Sequence, residues 1–375
     1  MNNLKKLQFL DSLRGFAILL VLLIHSGGLA ELYGHKLELA DLGQRGVQLF
    51  YQISAFSLLY SHYERREISN RCFFIRRFFR IAPLFYLSII ANYIWVVLIA
   101  RNPPLSLAAY ASGFTFLFGL HPSTINTIAP AGWSVAVEAI FYAVFPIMAL
   151  FITDLGRALA LASVSTLACF IVCYRINLHP LAALPSEYLH FTWFPVEFPV
   201  FTFGFVGFFV WRDLGLQSAR SGKTASLCLL GLAMFITCAS FPPTNYRLYI
   251  NSLSFVFLIL ALSLHPWRIL VNPVTALIGR LSFSIYLIHP YLREAASAAL
   301  DWLEHRSSLT LYGTWVGLTV NFSVFLFGSL SIAAITYNLI EMPGIALGRK
   351  IIGRLYVEKL TPTFLAPENG IEHEI

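Results

Sequence analysis

Apolar residues recur in long runs along nearly the whole chain, each too long for a buried strand and close to the length of a helix that crosses a bilayer. Stretches of this kind cover residues 10–29, 44–60, 82–100, 133–152, 158–174, 194–211, 224–241, 246–264, 274–292 and 313–340. Several fall slightly short of the usual length of about twenty residues. They predict an all-α integral membrane protein with about ten transmembrane helices. Basic residues gather in four places between the runs. Lys5, Lys6 and Arg14 precede the first; Arg65, Arg66, Arg71, Arg76, Arg77 and Arg80 lie between the second and third; Arg212, Arg220 and Lys223 lie between the sixth and seventh; Arg349, Lys350, Arg354 and Lys359 follow the tenth. Cytoplasmic loops carry the excess of Lys and Arg, so both termini are expected to be cytoplasmic and the number of spans even. One further apolar stretch, 105–120, would invert every later loop if it crossed. It is expected to be re-entrant or to lie on the outer interface.

Composition sharpens this picture: 57% of residues are hydrophobic and 12% charged, against about 25% charged in soluble domains. The net charge of +7 is accounted for by the cytoplasmic loops, so no nucleic-acid partner is expected and the bilayer is the surrounding medium. The N-terminus mimics a signal peptide, but the spans that follow and the His25 within the first run argue for a retained anchor. The five cysteines lie in or beside predicted helices, with neither a disulfide framework nor a metal-binding spacing, so no metal is expected. The expected organisation is one transmembrane domain, residues 1–349, followed by a short cytoplasmic tail, 350–375. Any chemistry must reside in the membrane domain.

Ionisable residues at membrane depth are costly and mark functional sites. Arg14 and His25 are eleven positions apart, three helical turns plus about 20°, so they share a face and stand about 16 Å apart along the axis. That arrangement suits an extended anionic ligand whose reactive end lies by the imidazole; the plainer reading is an interfacial arginine and an unrelated polar histidine. In the segment 70–86, Arg76, Arg77 and Arg80 stand at the cytoplasmic mouth of the third span. Arg77 and Arg80, three residues apart, could grip a phosphate together, or the cluster could serve orientation alone. Glu138, in A-G-W-S-V-A-V-E-A-I-F-Y (residues 131–142), must be paired or protonated. It could orient His25, or act structurally as an acceptor for Ser134 or a neighbouring helix. In R-L-S-F-S-I-Y-L-I-H-P-Y (residues 280–291), Pro290 is expected to bend or end the helix, and packing or capping is the expected role of His289. Glu341, in Y-N-L-I-E-M-P-G (residues 337–344), is expected to neutralise an arginine of the basic mouth, and Asp11 to pair with Arg14.

These blocks together, L-D-S-L-R-G-F-A-I-L-L-V-L-L-I-H, F-I-R-R-F-F-R-I-A-P, W-S-V-A-V-E-A-I-F-Y, S-F-S-I-Y-L-I-H-P and Y-N-L-I-E-M-P, resemble the membrane acyltransferases of the acyltransferase-3 family. The resemblance runs in order from about residue 10 to 349, and its strength lies in five blocks occurring in series. It implies ten core helices in a bacterial inner membrane and transfer of an acyl group, usually acetyl, from a cytoplasmic coenzyme A thioester. The implied acceptor is a hydroxyl of a sugar in a surface or lipid-linked glycan. Two positions depart from the family pattern. Ala55 stands where glycine is usual, and Ala139 follows Glu138 where a second acidic residue is common.

Residues and resemblance point to the same mechanism. Phosphates of acetyl-CoA would dock on Arg77 and Arg80, with Arg14, and the pantetheine arm would rise along the first helix to present its thioester by His25. His25 would act as general base on the acceptor hydroxyl, or be acylated transiently, with Glu138 orienting its ring. Arg76, Trp133, Ser134, His289, Asp11 and Glu341 are supporting candidates. Two competing classes are a transporter or flippase, in which the same intramembrane charges line a path, and a sensor that kept the fold and lost the chemistry. The outer segments 31–41, 175–193 and 293–311 are expected to shape the acceptor site, and their Tyr33, Tyr188, Phe191, Trp193 and Trp302 suit sugar stacking or interface anchoring equally.

Overall fold

The computed structural model describes residues 8–26, 42–65, 69–120, 125, 128–178, 192–215, 222–240, 248–307 and 315–360. Lys5, Lys6, Arg66, Arg220, Tyr33, Tyr188 and Phe191 lie outside them, as does the tail beyond 360. Among the described residues every regular element is helical and none is a strand: α1 Gln8–His25, α2 Gly46–Arg65, α3 Asn70–Tyr93, α4 Leu107–Phe114, α5 Gly132–Phe151, α6 Leu155–Leu178, α7 Phe194–Asp213, α8 Lys223–Ala239, α9 Leu248–Leu264, α10 Pro273–Ile288, α11 Arg293–Ser307, α12 Trp315–Thr336 and α13 Met342–Leu360. Within the described residues, the central part of each of the ten apolar stretches lies on one of these helices. Among the described residues, six helical runs are by length and composition long and apolar enough to cross a membrane, and Lys223–Ala239 and Leu248–Leu264 are shorter apolar helices.

The segment 105–120 forms α4, whose eight residues span about 12 Å, and then a single 3₁₀ turn, Leu117–Gly119. A left-handed Phe116 (φ 60°) breaks it between the two. At under half the hydrocarbon thickness it cannot cross as one helix. Helix α3 starts ahead of its apolar run, capped by Ser69, whose hydroxyl accepts from the Cys72 amide at 3.3 Å. The arginines of the mouth therefore ride on the same helix as the span. As Pro290 predicts, α10 ends at Ile288 and passes through a 3₁₀ turn, His289–Leu292, into α11. Residues 350–360, expected as the start of a tail, continue α13.

Helix α1 sits against α10 and α2, while α7 packs on α2, α6 and α9. The α1–α10 crossing is a backbone contact: a methyl group on Gly279 would lie 1.7 Å from the carbonyl oxygen of Asp11, and one on Gly15 would lie 2.3 Å from that of Thr275. At the α2–α7 crossing the glycine is on α7, where a methyl group on Gly204 would come within 2.8 Å of Ala55 Cβ. Ala55, itself fully buried, is accommodated because its partner helix has given up a side chain.

Candidate active site

Between α1, α2, α3, α5 and α10 lies an open-mouthed cavity of about 590 Å³, the space at its mouth included, lined by polar groups that include Arg14, Ser54, Arg80, Ser134, Glu138, Tyr142 and Tyr286. Arg14 donates to Asp11 Oδ1 and to Ser57 Oγ, both at 3.0 Å, so the expected Asp11–Arg14 pair forms and α1 is tied to α2. Arg80, two turns and more into α3, stands within charge reach of Glu341, Glu138 and Asp11. Glu341 is buried in a π turn, Tyr337–Glu341, and accepts from Ser284 Oγ at 2.8 Å. Arg80 is the arginine of the mouth within charge reach of it.

Glu138 accepts from Ser54 Oγ at 2.7 Å and from the hydroxyl of Tyr142, one helical turn away. The Tyr142 ring in turn carries the Arg77 guanidinium, 5.4 Å from its centroid. Arg77 and Arg80 take different places: Arg80 lines the cavity and Arg77 backs it across an aromatic face. Arg76 is exposed. Trp133 is half-buried against the hydrophobic core, and Ser134 donates to the Tyr286 hydroxyl at 2.7 Å.

The expectation that Glu138 orients His25 is corrected by this geometry, because the hydrogen bonds of Glu138 go to Ser54 and Tyr142. His25, the last residue of α1 and exposed, lies instead against His289, with ring centroids 5.0 Å apart and planes at 38°. His289 is 1% exposed, and its Nδ1 is 2.7 Å from the Tyr286 carbonyl. A carbonyl can only accept, so Nδ1 holds a proton toward it. Tyr286 joins the two layers, since it lines the cavity and its ring lies 5.5 Å from that of His289.

Sequence reasoning missed several members of this site. Tyr142 was legible at i+4 from Glu138, a spacing at which helix side chains meet. Ser54, Ser57 and Tyr286 carry no signal of their own. Glu197, fully buried in α7, sits in an apolar run and satisfies the same rule that singled out Glu138.

No solved structure matches the chain. A protein of Bacillus subtilis named "Putative peptidoglycan O-acetyltransferase YrhL" is 30% identical over 156 residues, which cover 36% of this chain and 23% of that protein. The chain thus spans less than a quarter of that relative in the match. The model of the acyltransferase-3 family, described as an acyltransferase domain, matches residues 7–338, and with the motifs and the helical fold in place the chain belongs to that family.

Proposed function

We propose that this protein is a membrane-embedded O-acyltransferase of ten spans that moves an acetyl group from cytoplasmic acetyl-CoA to a sugar hydroxyl of a surface or lipid-linked glycan in a bacterial inner membrane. The observation that carries the reading is the juxtaposition, within one helical membrane domain, of an arginine-lined cavity and a pair of histidines joined to it through Tyr286. Arg80 and Arg77 are the groups offered to donor phosphates, with exposed Arg76 outside them. Arg14, held by Asp11 and Ser57, fixes the wall beside which the thioester arm would pass. The exposed imidazole of His25 removes the proton of the acceptor hydroxyl as the oxygen attacks the thioester carbonyl, and the proton leaves with the coenzyme A thiolate as the free thiol. Buried His289 stands beside it, its Nδ1 turned to the Tyr286 carbonyl and its ring packed against that of His25. Glu138 acts on the donor side, holding Ser54 and Tyr142 rather than the base.

The test is thiol release from acetyl-CoA by purified protein in detergent, with membrane sugar-lipid extract as acceptor. Wild type is expected to release thiol only when extract is present, and folded His25→Ala to release none. Wild-type turnover by His25→Ala overturns the mechanism, and saturable uptake of a glycan precursor into vesicles without thiol release establishes a transporter instead.

A further inference from the structure

A second polar cluster, between α2 and α7, is not used by this mechanism. Arg45, Gln48 and Glu197 are all buried, Glu197 completely. Gln48 Nε2 donates to Glu197 Oε1 at 2.9 Å, and Arg45 stands within charge reach of the same carboxylate. Two acceptor atoms remain, Glu197 Oε2 and Gln48 Oε1, both shielded from solvent and both without a hydrogen-bond partner. Buried acceptors left in that state are costly and call for an explanation.

Their position suggests one. Gly43 lies against Leu20 and Ile24, and Gly46 against Ala17 and Val21, so the start of α2 runs beside the last turns of α1, which end at His25. One turn beyond Gln48, Tyr51 lines the cavity, and its hydroxyl reaches the Ser134 carbonyl at 3.4 Å. One turn beyond Glu197, Phe201 stacks on Tyr51 with centroids 4.4 Å apart. The cluster therefore lies one turn from Tyr51 of the cavity wall, where the start of α2 runs beside the helix that ends at His25. Two neighbouring acceptors require a ligand with two donors. A metal cation would also bind oxygen, but the Arg45 guanidinium already stands within charge reach of Glu197, which favours a neutral donor over a second cation. Vicinal hydroxyls of a polyol have that chemistry.

We infer that Gln48 and Glu197 form the subsite that holds the hydroxyls of the sugar acceptor. This rests on the reading that the acceptor is a sugar. The experiment measures thiol release in a non-sugar detergent, with acetyl-CoA as donor and the disaccharide of N-acetylglucosamine and N-acetylmuramic acid as acceptor probe. Wild type, Glu197→Gln and Gln48→Met are compared, the two substitutions being close in size to the originals so that at least one folded variant remains. The acceptor KM is expected to rise about tenfold or more, while donor KM and kcat at saturating acceptor stay within about twofold. Folded variants with unchanged acceptor KM overturn the subsite and leave the acyl-transfer reading standing. Absence of any disaccharide-dependent release by wild type overturns both. Thermal stabilisation of wild type, but not of Glu197→Gln, by sodium in place of choline overturns the subsite in favour of a cation site.

Discussion

Glu138 had to find a partner, because a carboxylate deep in an apolar helix is too costly to leave bare. Residue type alone allows that partner to be an imidazole or a pair of hydroxyls, and the fold supplies hydroxyls from Ser54 and Tyr142. The distinction can be tested with Tyr142→Phe, which keeps the ring under Arg77 and removes one of the two donors to the carboxylate. Losing a hydrogen bond to a charged group costs about 1.5–3 kcal/mol, so a lower thermal midpoint and weaker acetyl-CoA binding are expected by differential scanning and titration calorimetry. The proton transfer proposed for His25 should keep its pH profile, since the Tyr142 hydroxyl is committed to Glu138. A pH profile displaced in Tyr142→Phe would restore the link between Glu138 and His25 that the geometry withholds. The pairing of His25 with His289 could not be read in advance, because more than two thirds of the chain separates them and the α1–α10 crossing brings them together.

At the scale of the element, that crossing depends on two glycines. Gly279→Ala would place a carbon against the Asp11 carbonyl, and backbone cannot rotate away as a side chain can. Overpacking of this kind costs about 1–3 kcal/mol or more, and loss of the monodisperse peak on size-exclusion chromatography is the expected result. Gly231→Ala, in α8 with nothing within 4 Å of the new carbon, should instead stabilise by about 0.5–1 kcal/mol; equal behaviour of the two variants would remove the crossing as the cause. A second element-scale prediction concerns α6. Asp154 precedes it and accepts from the Arg157 amide at 2.9 Å, with the Arg157 side chain 3.3 Å away. The backbone hydrogen bond, first, and then the Thr153 hydroxyl and the Arg157 charge hold its carboxyl below the ordinary carboxylate range. A carboxyl lowered in the folded state contributes stability above its unfolded pKa and loses it as the pH falls. The advantage of wild type over Asp154→Asn in thermal midpoint should therefore be constant near neutrality and shrink below about pH 4. Helices such as these were legible because apolar runs and caps are local properties. The early start of α3 and the helical continuation into residues 350–360 were not, because polar helix held by tertiary packing carries no apolar period. Glu197 was legible by the rule applied to Glu138, and its partner Gln48 only once α2 and α7 were seen to touch.

Taken as a whole molecule, the bundle has two unlike ends. At one, the end of α2, the α5–α6 turn and the end of α7 converge: Tyr63 donates to the Ile152 carbonyl at 3.2 Å, and the Arg212 guanidinium lies over Phe209 and Tyr63 at 4.4 and 5.0 Å and reaches the Thr153 carbonyl at 3.5 Å. At the other, α1 ends in His25 and α10 leads through His289 into α11. A two-sided reaction needs this polarity, with the donor entering by the basic end and the acceptor reaching the histidines from the opposite face. The positive-inside rule assigns the basic end to the cytoplasm, which impermeant maleimide labelling of intact spheroplasts can test. Cys228 and Cys238, both exposed, are first replaced by alanine. Trp302→Cys in α11, whose native side chain is 60% exposed, should then label from outside. Arg157→Cys at the start of α6, also on an exposed side chain, should label only after permeabilisation. The reverse pattern would put the arginine cavity on the outer face, out of reach of cytoplasmic acyl-CoA, and the proposed direction of transfer would fall with it.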